Sequence, residues 1–151
     1  MGIVESIKSI LSEQVIGYRV LLDVLRRERE CLVQIDAAGV EELSKEKDTI
    51  VLKLKLLEEE RIRLVRAFSA DRRLAGAVAL QKIAELTGDE SLHGLRLQLL
   101  SLLQGIAEFN EFNKVLIERS SAIVRNSLSF LGSCGVSLQN RSSGSLLSRE
   151  A

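Results

Sequence analysis

The sequence predicts an all-α protein: an elongated antiparallel bundle of three long helices plus one short connecting helix, followed by a disordered C-terminal tail. The 151 residues include no proline, although proline makes up about 5% of an average protein. Apolar residues form 46% of the chain, enough to build a hydrophobic core. In three stretches they recur at alternating steps of three and four residues, the spacing of amphipathic helices. We expect residues 1–131 to form one helical domain and residues 132–151 a flexible Ser/Gly-rich tail.

The first long helix is predicted between Val4 and Ile35, which is 32 residues or about 50 Å in length. Its pattern ends at Asp36-Ala37-Ala38-Gly39, where aspartate favours a cap or turn and glycine tolerates a positive φ. A tight turn between two helices is expected there. The two heptad series of this helix are Val4, Leu11, Tyr18, Leu25 and Leu32, and Ile7, Gln14, Leu21, Glu28 and Ile35.

The second long helix is predicted from Val40 to Phe68, folded back on the first as an antiparallel hairpin. If the hairpin is centred between Ala37 and Ala38, every apolar heptad position faces another apolar position. The predicted layers are Ile35 with Val40, Leu32 with Leu43, Leu25 with Ile50, Leu21 with Leu54, Tyr18 with Leu57, Leu11 with Leu64, and Ile7 with Phe68.

Two polar interruptions of the first helix meet two of the second in the same register, Glu28 with Lys47 and Gln14 with Arg61. Such layers stabilise less than apolar packing, but they specify alignment, because any slip of the hairpin sets a charge against leucine. The alternative is that Lys47 and Arg61 extend from the edge of the seam into solvent.

A connector and a third long helix follow. Residues 69–73 are polar, and residues 74–86 are long enough only for a short helix. Thr87 and Glu90 match a capping box, in which Thr87 accepts from the amide of Glu90, and the third helix continues from there to about Leu131. Its first half carries a broad apolar stripe, and its second half a narrower one edged by Asn113, Ser120 and Ser127.

Several classes of function are excluded by composition. Lys plus Arg and Asp plus Glu both total 21, so the chain lacks the excess positive charge of a general nucleic-acid binder. The single histidine, His93, follows Glu90 by three residues, but a di-iron site needs two such units. Cys31 and Cys134 are too far apart in sequence to form a metal-ligand pair and are interpreted as ordinary thiols.

No phosphate-binding loop or nucleophile with its base is present in the sequence. We therefore expect a non-enzyme with no metal, cofactor or small-molecule substrate. The N-terminus lacks the pattern of a signal peptide, and no apolar stretch approaches the roughly 18 residues that span a bilayer. A cytoplasmic location is expected.

Three motifs stand out on this helical background. They are Glu28-x-x-x-Leu32 before the Asp36 turn, Leu43-x-x-x-Lys47 at the start of the second helix, and Asn110-Glu111-Phe112-Asn113-Lys114-Val115-Leu116-Ile117 followed by Ser120. In combination, over about residues 5–131, the chain resembles the FlgN-type flagellar export chaperones.

The resemblance implies a chaperone that binds the C-terminal helical ends of hook-associated proteins and keeps them competent for type III export. It also implies delivery to the flagellar export gate or its ATPase complex, with membrane contact only through that apparatus. In the family the client is held mainly by the C-terminal part of the last helix. We expect the corresponding client-binding residues here to be Asn113, Leu116, Ile117, Ser120, Ile123, Val124, Ser127, Phe130 and Leu131.

Some family features do not transfer directly. Certain members contact the export gate through a C-terminal tyrosine, whereas the only tyrosine here is Tyr18, in the first helix. Asn110 and Asn113 have two interpretations: they orient a client helix, or they form a polar layer between the third helix and the hairpin. We assign Asn110 to the structural layers and Asn113 to the client surface.

Two other functions compete with the chaperone. A homo-oligomeric coiled-coil structural or adaptor protein would cover the same apolar strip with copies of itself. A membrane-surface binder would lay an amphipathic helix in the interface, but the polar faces here mix acidic and basic residues. The sequence leaves the oligomeric state and the preferred client open.

Overall fold

The computed structural model describes residues 2–76 and 78–133, and every regular element in these ranges is a helix. The elements are α1 (Ile3–Val33), α2 (Ala37–Asp71), α3 (Leu80–Thr87) and α4 (Glu90–Ser133). The predicted all-α class, with three long helices and one short one, is confirmed. The predicted tail, apart from its first two residues, and Cys134 lie outside the described residues.

These residues form two compact units. The first contains residues 2–23, 48–76 and 78–106, and the second contains residues 24–47 and 107–133. In each unit α2 runs antiparallel to α1, and α4 runs parallel to α1. In the first unit, for example, Lys8 of α1 contacts Asp89 at the start of α4, and Leu22 lies against Gly105.

The core of the first unit draws on all four helices. Its most deeply buried side chains are Ile7, Leu11, Phe68, Ile83 and Leu92. Burying a side chain of this size contributes about 1.5–3 kcal/mol each. The short helix α3, although only eight residues long, is retained because Ile83 inserts into this core.

The turn between α1 and α2 lies earlier than the heptad pattern predicts. Ile35 adopts a φ of 56°, and Asp36 caps α2 by accepting a 3.0 Å hydrogen bond from the amide of Gly39. The predicted layer of Ile35 with Val40 is therefore wrong. Ile35 is exposed, and Val40 packs instead with Leu32.

The start of α4 also differs from the prediction. Thr87 is the last residue of α3 and donates to the carbonyl of Ile83, so it does not cap α4. The cap is Asp89, which accepts a 3.0 Å hydrogen bond from the amide of Ser91. Hydrogen bonds from Ser91, and to a smaller extent from Lys8, lower the pKa of Asp89 to about 2, because they favour the ionised carboxylate.

The polar layer predicted for Gln14 and Arg61 contains a third residue. Glu58 accepts from the Gln14 amide at 2.9 Å and from Nε of Arg61 at 2.8 Å, so it bridges the two side chains. Gln14 thus hydrogen-bonds Glu58 and not Arg61, which corrects the expected pairing. The Arg61 guanidinium lowers the pKa of Glu58, and Glu58 raises that of Arg61.

Candidate functional site

A buried polar cluster in the second unit joins one residue from each long helix. Glu28 of α1 accepts a 2.9 Å hydrogen bond from Nζ of Lys47 of α2, the contact that the hairpin register predicts. Its other carboxylate oxygen accepts from Nδ2 of Asn113 of α4, also at 2.9 Å. Asn113 donates further to the carbonyl of Leu25 at 3.0 Å. The cluster therefore sets the position of α4 along the hairpin.

The two asparagines exchange the places that the sequence predicts. Asn113, assigned to the client surface, is buried and bonded inside the unit, and Asn110, assigned to a structural layer, is exposed. They lie three residues apart, about 60° around a helix, so a small error in the inferred direction of the core exchanges their environments.

Beyond this cluster α4 extends past the end of the hairpin. Ile117 packs with Leu32 and Val40 beside the turn, and Ser121 is the last buried residue of α4 in the described chain. The helix continues to Ser133, about 18 Å further at 1.5 Å per residue. About three turns of α4 therefore lie beyond the end of the hairpin.

The residues predicted to bind a client divide by exposure along this segment. Asn113 and Ile117 are buried, and Leu116, Ser120 and Val124 are partly buried. The remaining four are exposed: Ile123, Ser127, Phe130 and Leu131.

An apolar strip, exposed except for the partly buried Leu116, follows one face of α4. It consists of Phe112, Leu116, Ile123 and Phe130, whose spacings of four, seven and seven residues keep them aligned. Ile123 is 58% exposed, Phe130 69% and Phe112 49%. We call these four residues the α4 strip. Phe112 is absent from the predicted set, although its heptad relation to Leu116 was visible in the sequence.

A cavity of about 150 Å³ lies at the turn end of the second unit. A cavity of this volume accommodates a benzene-sized group when its lining is apolar. Burial raises the pKa of the Cys31 thiol at its wall, so the sulfur stays protonated at neutral pH and contributes as an apolar group. The lining residues are Cys31, Leu32, Ile35, Asp36, Ala37, Val40, Ile117, Ser120, Ser121 and Val124.

Two arginines of α1 stand against aromatic rings of α4. The guanidinium carbon of Arg26 lies 5.8 Å from the centre of the Phe109 ring, and that of Arg29 lies 5.7 Å from the same centre. Arg29 is also 5.5 Å from the centre of Phe112. These contacts were not predicted from the sequence. Arginines three residues apart on α1 and phenylalanines three residues apart on α4 were the available signal.

The described residues do not bring together the side chains of a metal site, and they do not include a membrane-spanning helix. His93 is exposed, and no three His, Cys, Asp or Glu side chains of that part of the chain converge as metal ligands would. None of the four helices combines the length and the apolar content that a bilayer crossing needs, as far as residues 2–76 and 78–133 are concerned.

Comparison with known proteins identifies one family. A family model described as FlgN protein matches residues 1–138. No curated protein and no solved structure matches the chain.

Proposed function

Because the chain belongs to the FlgN family, a family of flagellar export chaperones, we propose that it binds the C-terminal helical segments of hook-associated proteins in the cytoplasm. Bound in this way, the clients would stay competent for type III export and would not polymerise early. The chaperone would then pass them to the flagellar export gate or its ATPase complex. The client-binding surface is proposed to be the α4 strip together with the cavity beside the hairpin turn.

The observation that carries this proposal is the exposure of the α4 strip, whose last two residues, Ile123 and Phe130, lie beyond the end of the hairpin. Isolated exposed apolar residues are common on proteins, but these four, spaced by four, seven and seven residues, form a seam along one face of a helix. An amphipathic client helix covers such a seam with its own apolar face. The aggregation-prone face of the client is then buried for as long as the complex lasts.

The cavity adds a place for an anchoring side chain. Val124 and Ser120 line it from α4, and Leu32 and Val40 line it from the hairpin. A leucine or phenylalanine of the client that enters it would be largely removed from water, which is how the strongest contacts of an interface arise. Asn113 would then support this surface from below without touching the client, whereas Ile117, which lines the cavity, would contact the anchoring side chain.

The test compares two exposed apolar residues of nearly equal exposure. Ile123→Asp changes the α4 strip, and Leu52→Asp changes α2, where the leucine is 60% exposed against 58% for Ile123. Calorimetric titration with purified hook-associated proteins, with and without their C-terminal segments, measures affinity. We expect Ile123→Asp to weaken binding by about tenfold or more, a loss of about 1.4 kcal/mol, and Leu52→Asp to have little effect. Circular dichroism should show unchanged helicity in both variants.

Equal binding by wild type and Ile123→Asp would refute the α4 strip as the client surface. Failure of the wild type to bind any hook-associated C-terminal segment would refute the client assignment. Light scattering on the isolated chain tests the homo-oligomeric alternative. A stable oligomer that Ile123→Asp dissociates, and that persists when a client is added, would identify the strip as a self-association surface.

A further inference from the structure

We propose that Arg26 and Arg29 make the α4 strip selective for client helices that carry carboxylates beside one end of their apolar face. The occupant is an acidic amphipathic helix. This inference rests on the proposed function and adds the chemical character of the client to it.

Both arginines present their charge at the same place. They lie three residues apart on α1, hence on one face of the helix, and both are exposed. Their guanidinium groups stand 5.5–5.8 Å from the ring centres of Phe109 and Phe112. A guanidinium group that stacks on an aromatic ring keeps its N–H donors in its own plane, pointing outward. A carboxylate can accept hydrogen bonds from them there. The rings therefore hold the two donors beside the first residue of the α4 strip.

Neither of these two guanidinium groups is used in an ion pair within the described residues. Arg27, between them in sequence, pairs with Glu46 of α2 at 2.7 Å, whereas neither Arg26 nor Arg29 forms an ion pair in that part of the chain. An exposed cation that already has an internal partner gains little from another carboxylate. Two cations without such a partner remain available to a carboxylate of a ligand, which favours an acidic client over a basic one.

The position of the arginines limits where the client must be acidic. The α4 strip extends from Phe112 to Phe130, about 27 Å at 1.5 Å per residue, and the arginines flank only its Phe112 end. A helix of about five turns covering the strip would meet both guanidinium groups near one of its own ends. Carboxylates at that end of the client would fix its register on the α4 strip, and they would also account for the charge selectivity of the strip.

The experiment uses two designed helical peptides of 20 residues with the same apolar heptads. One carries glutamates beside the apolar face at one end, and the other carries glutamines at those positions. Fluorescence anisotropy measures binding of each peptide, and of hook-associated C-terminal segments, to the full chain. The variant is Arg26→Gln with Arg29→Gln. The matched control is Arg72→Gln, since Arg72 also lies over a ring, 5.0 Å from the centre of Phe68, but in the first unit.

We expect the wild type to prefer the acidic peptide by about three- to tenfold at low salt, as two exposed charge pairs allow. The preference should fall as salt increases and should vanish in the Arg26→Gln, Arg29→Gln variant but not in Arg72→Gln. A variant with lysine at both positions separates charge from ring coverage. If it keeps the preference, the proposal is supported. If it loses the preference as fully as the glutamine variant does, the arginines act by covering the rings and the proposal fails.

Two further outcomes would overturn the proposal. One is an unchanged preference in the glutamine variant. The other is arginine-dependent binding to phosphatidylglycerol vesicles with no discrimination between the peptides, which would identify a lipid surface as the ligand. The results distinguish a failure of the charge selectivity from a failure of the client assignment. Loss of hook-associated binding in Ile123→Asp but not in the glutamine variant would refute only the charge selectivity, whereas peptide preference without any hook-associated binding would refute only the client assignment.

Discussion

Replacing Lys47 by leucine is expected to destabilise the protein far more than its single lost hydrogen bond suggests. The Glu28 side chain is only 2% exposed, and Lys47, at 16%, is its one cationic partner in the described structure. The substitution leaves a buried carboxylate with a single hydrogen bond from the neutral Asn113 amide. Breaking a buried ion pair from one side costs about 3–5 kcal/mol. Because Asn113 still donates and Lys47 is partly hydrated, we expect about 2–4 kcal/mol here.

Removing both charges should cost less than removing one. In the Glu28→Leu, Lys47→Leu double variant no charge is buried, and Asn113 keeps its 3.0 Å hydrogen bond to the Leu25 carbonyl. We expect this variant to be more stable than Lys47→Leu alone by about 1 kcal/mol or more. The control is Arg27→Leu, which breaks the Arg27–Glu46 pair between the same two helices, where the side chains are 44% and 45% exposed. An exposed pair of this kind should contribute only about 0.2–1 kcal/mol.

Urea unfolding at neutral pH measures these differences. Far-ultraviolet circular dichroism follows all helices, and the fluorescence of Tyr18 follows the first unit, so coincident transitions justify a two-state treatment. A double variant less stable than Lys47→Leu would refute the inference that the charges are coupled. A loss for Lys47→Leu no larger than that for Arg27→Leu would show that Lys47 acts as a solvated side chain at the edge of the seam.

The remaining predictions concern packing and pH. Gly17→Ala should lower the free energy of unfolding by about 1–3 kcal/mol, since its Cβ would lie 2.7 Å from Cδ2 of Leu54. Gly94→Ala, with no heavy atom within 4 Å of the new Cβ, should instead raise it by about 1 kcal/mol through helix propensity. Urea unfolding checks both signs, and destabilisation by both substitutions would contradict the packing argument. Asp89→Ala should lower the melting temperature at neutral pH, because Asp89 caps α4. The folded pKa of Asp89, about 2, lies below its ordinary value of 3.8, so this stabilisation is present above about pH 4 and is lost as the pH falls towards 2. Thermal unfolding from pH 7 to 2 should show the gap between wild type and variant closing, and a gap that persists at pH 2 would contradict it.

Helical periodicity explains why much of the fold was accessible from the sequence. The helical hydrogen bonds are local, so apolar spacing and the absence of proline identify the long helices without knowledge of their partners. The same spacing aligns Glu28 with Lys47. It fails at Ile35 because reversing the chain needs a residue with positive φ, and an apolar heptad position carries no information about that.

Side-chain reach explains the errors in the polar layers. Glu58 lies outside the heptad series of α2, yet its carboxylate contacts both Gln14 and Arg61, because a long flexible side chain crosses from the flank of the seam to its centre. Such a contact depends on the distance and rotation between two helices, which one helical pattern cannot specify. The rotation of α4 relative to the hairpin likewise decides that Asn113 is buried and Asn110 exposed, the reverse of the predicted placement.

What the sequence determined by itself is the set of helices, their amphipathic faces and the order in which they fold back on one another, because these follow from local hydrogen bonding and apolar spacing. Only the tertiary structure decided which apolar positions of α4 stay exposed. Exposure depends on where the hairpin turn falls beside α4, and that alignment is set by contacts between helices, chiefly those of Glu28, Lys47 and Asn113. The placement of Arg26 and Arg29 against Phe109 and Phe112 is likewise a product of this alignment, since the two pairs lie about 80 residues apart in the chain.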